Sequence, residues 1–261
     1  VSNERGSIQR VFTIAFVLAA FTFVLMLVYG PVEGRRPGQG GAFVPSSVSE
    51  QAARIRRALV SGRADAAVSI ADETASLFPD DRETWLWVAQ VHHTVGSPDI
   101  AAQAGVRLEA MVIEQGVPNQ LLLQSTHTYR LAWANLAMGR TDTARALFLQ
   151  AARIYESAPP GMRADDRIAY NLACYLAMAG EDDRAAAAFA RAVELGYADD
   201  EGWWRADPDL DPIRSHPVYM EAAKAMAALE EDRRWITPRR NGVRRIPPEF
   251  EAGWSDPSSG N

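Results

Sequence analysis

The side chains able to do chemistry are few, and their spacing does not assemble a reaction centre. His92 and His93 are adjacent, so on a helix their side chains point about 100° apart and do not close on one metal ion. His127 and His216 lie far from them and from each other, without ligand-like intervals. The run Asp207-Pro208-Asp209-Leu210-Asp211 lacks the glycine and terminal glutamate of a calcium loop. Turn formation and helix capping are the roles expected of it. Cys174 is the one cysteine, which excludes an internal disulfide. No histidine or helix start stands near it in sequence to favour a thiolate, so a small packed residue is expected. Neither a phosphate-cradling glycine loop nor a nucleophile elbow occurs. The expectation is a protein that is not an enzyme, with no cofactor, no metal and no small-molecule substrate.

What remains to be positioned is a surface. The chain of 261 residues is 48% hydrophobic and 23% charged, rich in alanine, and without convincing strand patterns. An all-α protein follows. Its net charge of -6 is uneven: residues 1–47 carry +2, residues 230–261 carry zero, and residues 48–229 carry -8. An acidic centre argues against nucleic acid, which needs a basic face.

Punctuation in that centre is regular. A glycine followed five residues later by an alanine recurs at Gly62/Ala67, Gly96/Ala101, Gly139/Ala144 and Gly180/Ala185. The clearest unit runs Tyr170-Asn171-Leu172-Ala173-Cys174-Tyr175-Leu176-Ala177-Met178-Ala179-Gly180, then Arg184-Ala185, Phe189, Ala192 and Leu195. This resembles the two-helix signature of the tetratricopeptide repeat (TPR), in which glycine makes the turn and alanine and phenylalanine pack the second helix back. The intervals between glycines, 34, 43 and 41 residues, start at the TPR period and then lengthen. Gly105 stands where an aromatic is usual in the second unit. A turn rich in Asp and Pro, then a last helix over about 218–231, resembles the ending common in bacterial TPR proteins. The resemblance covers residues 48–231 and implies an antiparallel helix-pair solenoid of about four units whose role is protein–protein interaction.

In TPR proteins the first helix of each pair lines the concave groove. Opposite the packing positions these helices carry Glu83, Leu86, Gln90 and His93 in the second unit, and Thr126, Tyr129, Trp133 and Leu136 in the third. The fourth carries Arg167, Tyr170 and Cys174. Tyr129, Trp133 and Tyr170 would form an aromatic patch for a partner anchor; alternatively Trp133 and Tyr170 fill the solenoid core.

Flanking segments carry other signals. Residues 11–29, VFTIAFVLAAFTFVLMLVY, hold no charge. At 1.5 Å per residue they span about 28 Å, near the hydrocarbon thickness. Twelve of the 19 are Leu, Ile, Val or Phe, contributing roughly -4 to -7 kcal/mol toward insertion. A single-pass transmembrane helix is expected there, after a short N-terminal tail over 1–10. Ala15, Ala19 and Thr22 make a small-residue face able to admit a partner helix. The positive-inside rule weakly favours a cytoplasmic N-terminus, placing the rest in the periplasm if the membrane is a bacterial inner one. Residues 30–47 read as a Gly/Pro linker. Residues 232–261 read as an extended tail whose Arg233, Arg234, Arg239, Arg240, Arg244 and Arg245 alternate with Trp235, Phe250 and Trp254. Such an arm suits an acidic protein surface or lipid headgroups.

Two functions fit. One is a membrane-anchored scaffold, an accessory subunit or assembly factor of an integral membrane complex such as a translocon, an electron-transport or photosynthetic complex, or cytochrome biogenesis machinery. The other is a chaperone-like receptor for transient peptide or unfolded clients. A receptor needs an open aromatic groove.

Overall fold

Each recurrent glycine ends a helix because the chain there must turn through the left-handed region, which glycine enters without steric cost. Gly62, Gly96, Gly139 and Gly180 have φ of 68°, 76°, 74° and 80°. The amide after each bonds back five residues, as Arg63 to Ala58 (2.9 Å) and Glu181 to Leu176 (2.9 Å), the Schellman closure of a helix end. Five residues past each glycine, Ala67, Ala101, Ala144 and Ala185 are buried, small enough to let the second helix close on the first.

The computed structural model describes residues 47–199 and 202–236, with side chains to Glu231. Four antiparallel pairs stack in chain order: α1 (Val48–Val60) with α2 (Ala64–Leu77), α3 (Arg82–Thr94) with α4 (Pro98–Gln115), α5 (Leu121–Ala137) with α6 (Thr141–Glu156), and α8 (Asp166–Ala179) with α9 (Asp182–Glu194). The four-residue α7 (Pro160–Arg163) occupies the longest of the inter-pair loops, and two 3-10 turns, Trp203–Arg205 and Pro208–Ile213, precede α10 (Pro217–Ile236). The described chain is thus a TPR-like all-α solenoid. The lengthened second and third intervals are absorbed by the 18-residue α4, the 17-residue α5 and the α7 loop.

Three first helices are started by side-chain caps. Ser47 accepts from the Glu50 amide (3.2 Å), Asp81 from Glu83 (2.7 Å) and Asp165 from Ile168 (3.1 Å), each contributing about 1 kcal/mol. Between units, Leu108, Phe148, Phe189 and Trp133 are fully buried. The absent aromatic at Gly105 has a steric cause. A Cβ there would lie 2.7 Å from the Ala134 carbonyl oxygen, so α4 and α5 meet backbone to backbone. That contact, rather than an aromatic, closes the second unit, and α4 runs through it unbroken.

Two expectations shift at the end. The last helix begins near the expected position but continues to Ile236, so residues 232–236, read above as the start of an extended tail, are helical. A run of 20 residues with no proline after Pro217 lets the helix propagate up to the break before Pro238. Arg233, Arg234 and Trp235 therefore sit in α10. The positions Arg239, Arg240, Arg244, Arg245, Phe250 and Trp254 lie outside the described residues, as do the expected membrane span over 11–29, its Ala15, Ala19 and Thr22, and the linker over 30–46. Among the described residues no helix is long and apolar enough to cross a membrane.

Candidate functional site

Where α9 ends, the chain does not turn directly into a further pair. Instead α10 begins beside the start of α9, His216 Nε2 lying 3.0 Å from Asp183. The connection between them returns across the concave face. It is fastened there by two carboxylates. The Tyr170 hydroxyl donates to Asp207 Oδ2 (2.7 Å), the Tyr129 hydroxyl to Asp209 Oδ2 (2.7 Å), and the Trp133 indole N–H to Asp209 Oδ1 (3.1 Å). Leu210 and Ile213 of the same turn are fully buried, which adds about 2 kcal/mol of apolar burial each. Arg214 ties the turn to itself, donating to the Asp207 carbonyl (2.9 Å) and to Asp211 (2.6 Å). The crossing also reaches the first units, where Trp203 meets Trp87 edge-on with ring centres 5.8 Å apart.

This closure converts part of the groove into a cavity of about 690 Å³, within the range of ligand pockets. Eight of the eleven groove positions read from sequence line it: Glu83, Leu86, Gln90, Thr126, Tyr129, Arg167, Tyr170 and Cys174. His93 and Trp133 do not; with Leu136 they line a second cavity of about 710 Å³ against Pro208, Asp211 and Pro212. The crossing turn thus divides the expected groove in two. Tyr170 and Trp133 are on concave helices and yet are buried, because the cover comes from the chain's own 207–210 turn. Both alternative readings of these aromatics describe part of that arrangement.

Electrostatics at the cavity floor are unusual. Burial holds the carboxyls of Asp207 and Asp209 above the ordinary carboxylate range, and for Asp209 the neighbouring Asp207 adds to the effect. Burial likewise raises the hydroxyls of Tyr129, Tyr170 and Tyr175 and the thiol of Cys174, so these remain protonated donors. Farther along the cavity Gln90 donates to the Tyr129 hydroxyl (2.8 Å), and Tyr170 stacks on Tyr197 at 4.3 Å. Glu83 pairs with Arg130.

Cys174, Asp207 and Asp209 bring three ligand-type atoms within 4.8 Å of one another. In this structure they are members of a hydrogen-bonded clasp. All four carboxylate oxygens already accept, the remaining one being Asp207 Oδ1 from the Asp209 amide (3.0 Å), and the thiol is held protonated. The expected capping role of the Asp run is therefore half of what it does: one oxygen of Asp207 caps the turn, and the other carboxylate oxygens reach across the fold. Sequence reading missed this and, with it, Trp87, Trp203 and Tyr197. The available signal was the stretch from 196 to 216, which has no helical period yet holds two tryptophans, a leucine and an isoleucine.

The remaining histidines have structural surroundings. His92 is buried with Nε2 3.0 Å from Asp72, His93 packs edge-on to Trp133, and burial lowers His127 with help from Arg130 and Arg82.

No family model matches the chain, and no curated protein matches it. Among solved structures, the crystal structure of MamA aligns over 74% of this chain and 100% of that one, at 15% identity and a TM-score of 0.29. A likeness that loose carries no weight here, and the TPR-like reading rests on the helix pairs themselves.

Proposed function

We propose that this chain is a non-enzymatic protein-interaction scaffold, anchored by residues 11–29 in a bilayer and serving as an accessory subunit or assembly factor of an integral membrane complex. The observation that carries the reading is the self-closed concave face. A receptor for varied clients requires an open aromatic groove, whereas here Tyr129, Trp133 and Tyr170 are already engaged by Asp207 and Asp209. Trp133 and Tyr170 are also buried, which leaves little of the aromatic face to a client. Stable docking through fixed surfaces fits better. The α4 helix and the loop after it offer such a surface: Val106 and Ile113, seven residues apart on α4, are 58% and 64% exposed, and Val117 of the loop is 70% exposed.

In this reading the anchor helix presents Ala15, Ala19 and Thr22 to a partner helix, the Arg-rich end beyond α10 lies along the complex, and the helical domain stands in the periplasm. The test is extraction of the native membrane in mild detergent, size separation, and identification of everything migrating with the chain. Migration at constant ratio inside one large complex supports the proposal. Migration alone, or with many substoichiometric proteins, overturns it in favour of the client receptor.

A further inference from the structure

The cavity closed by the crossing turn has a feature that scaffolding alone does not require. Two buried carboxylates, Asp207 and Asp209, form its floor, and their hydrogen-bond donors are all neutral: two phenols, a thiol, an indole and a backbone amide. No ion pair reaches either carboxylate among the described residues; Arg214, the cation beside them, binds the Asp207 backbone carbonyl and the Asp211 carboxylate instead. A carboxylate has about four lone-pair sites, and the hydrogen bonds to Asp209 number one per oxygen. Acceptor capacity is therefore left over at the floor, and burial with no cation paired there disfavours the carboxylates' charge, which a cation seated in the cavity would favour.

The walls favour the same kind of ligand. Trp87, Trp203, Tyr175 and Tyr197 line the space, and aromatic faces attract cations, guanidinium above all. Arg56 already uses this property, its guanidinium carbon lying 5.9 Å from the centre of the Trp87 ring. Arg56, Arg130 and Arg167 also line the cavity, against Glu83, Asp199, Asp207 and Asp209; Glu83 pairs with Arg130, so the lining is not uniformly repulsive to a cation. A volume of about 690 Å³ holds one long side chain with its flanking backbone and excludes a folded element.

We infer that this cavity is a socket for a single arginine side chain presented by a segment of a protein partner, with the guanidinium on the Asp207/Asp209 floor and the aromatic walls along its stem. The inference rests on the scaffold reading and names the chemistry of one of its contacts. It also explains how a groove covered by its own chain still recognises a partner: the cover supplies the recognising groups.

The experiment uses the full chain in detergent and two probes, the peptide Ac-Gly-Arg-Gly-NH2 and its citrulline analogue, which keeps the shape and removes the charge. Saturation-transfer NMR titrations give the two affinities. Expected are saturable binding of the arginine peptide, binding of the citrulline peptide weaker by about tenfold or more, and a comparable loss for the arginine peptide in Asp209→Asn. Trp203→Leu, which leaves the carboxylates in place, is expected to weaken the arginine peptide by about threefold. Equal binding of the two peptides, no saturable binding of either, or undiminished arginine binding by folded Asp209→Asn overturns the socket. Should Asp209→Asn not fold, the comparison of peptides on the unaltered chain decides. Comigration with a membrane complex in the absence of peptide binding sinks the socket alone; peptide binding by a chain that migrates alone sinks the scaffold alone.

Discussion

The stacked pairs and the turn that crosses them are held by different physics. In the pairs, each turn is set within a few residues by a left-handed glycine and a buried alanine, and apolar burial does the rest. In the crossing turn, the anchoring hydrogen bonds join residues 37, 76 and 80 positions apart, between polar groups inside an apolar face. The first kind of order is local and tolerant. The second exists only after the pairs have assembled, and it leaves two carboxyls in an environment that disfavours their charge. A repeat array supplies a stable frame, and a non-repeating segment turns that frame into a particular site.

The comparison is broken most severely from the frame side. Phe189 is fully buried and touches Tyr219, Trp204 and Tyr170. Phe189→Ala is expected to cost about 3–5 kcal/mol, visible as a lowered midpoint in thermal or urea unfolding followed by circular dichroism. Gly105→Ala forces a Cβ against the Ala134 carbonyl and should cost about 1–3 kcal/mol, although alanine ordinarily favours a helix. A stabilised variant would show that α4 and α5 do not meet as closely as described.

The clasp responds more locally. Tyr170→Phe removes the donor to Asp207 and should cost about 1–2 kcal/mol. Hydrogen exchange should quicken in residues 202–213 while the amides of α1–α6 stay protected. Uniform loss of protection would mean that the two regions are one cooperative unit.

The pH dependence sharpens the distinction further. Burial raises the Asp207 and Asp209 carboxyls above 3.8, so between that value and their folded ones the native state binds more protons than the unfolded chain. The slope of stability with pH is then negative: their contribution is complete below about pH 4, is lost as pH rises through the folded values, and is flat beyond. Asp209→Asn should remove much of that slope in urea titrations at successive pH. The groups facing the pair, Tyr129, Tyr170 and Cys174, stay neutral there.

This division also explains what was legible in the sequence. Gly62, Gly96, Gly139 and Gly180 marked the helix ends because a local backbone requirement dictates residue type. Gly105 was opaque because its partner, the Ala134 carbonyl, belongs to another helix. Helical spacing put Tyr129 and Tyr170 on the concave side but said nothing of what would cover them. Asp207 and Asp209 looked like turn formers because their distant partners leave no trace in local spacing.

Cys174 offers the most direct measurement. It is the chain's sole cysteine, lies on concave α8, is 3% exposed, and has Sγ 3.8 Å from Asp207. The rate at which a maleimide or aromatic disulfide reagent modifies it in the native protein reports whether the concave face is covered. Slow modification in the unaltered chain, accelerated about ten- to a hundredfold in Tyr129→Phe/Tyr170→Phe with helix content unchanged, is the predicted result. Modification of native Cys174 at the rate of an unfolded thiol would contradict the self-closed groove on which the account depends.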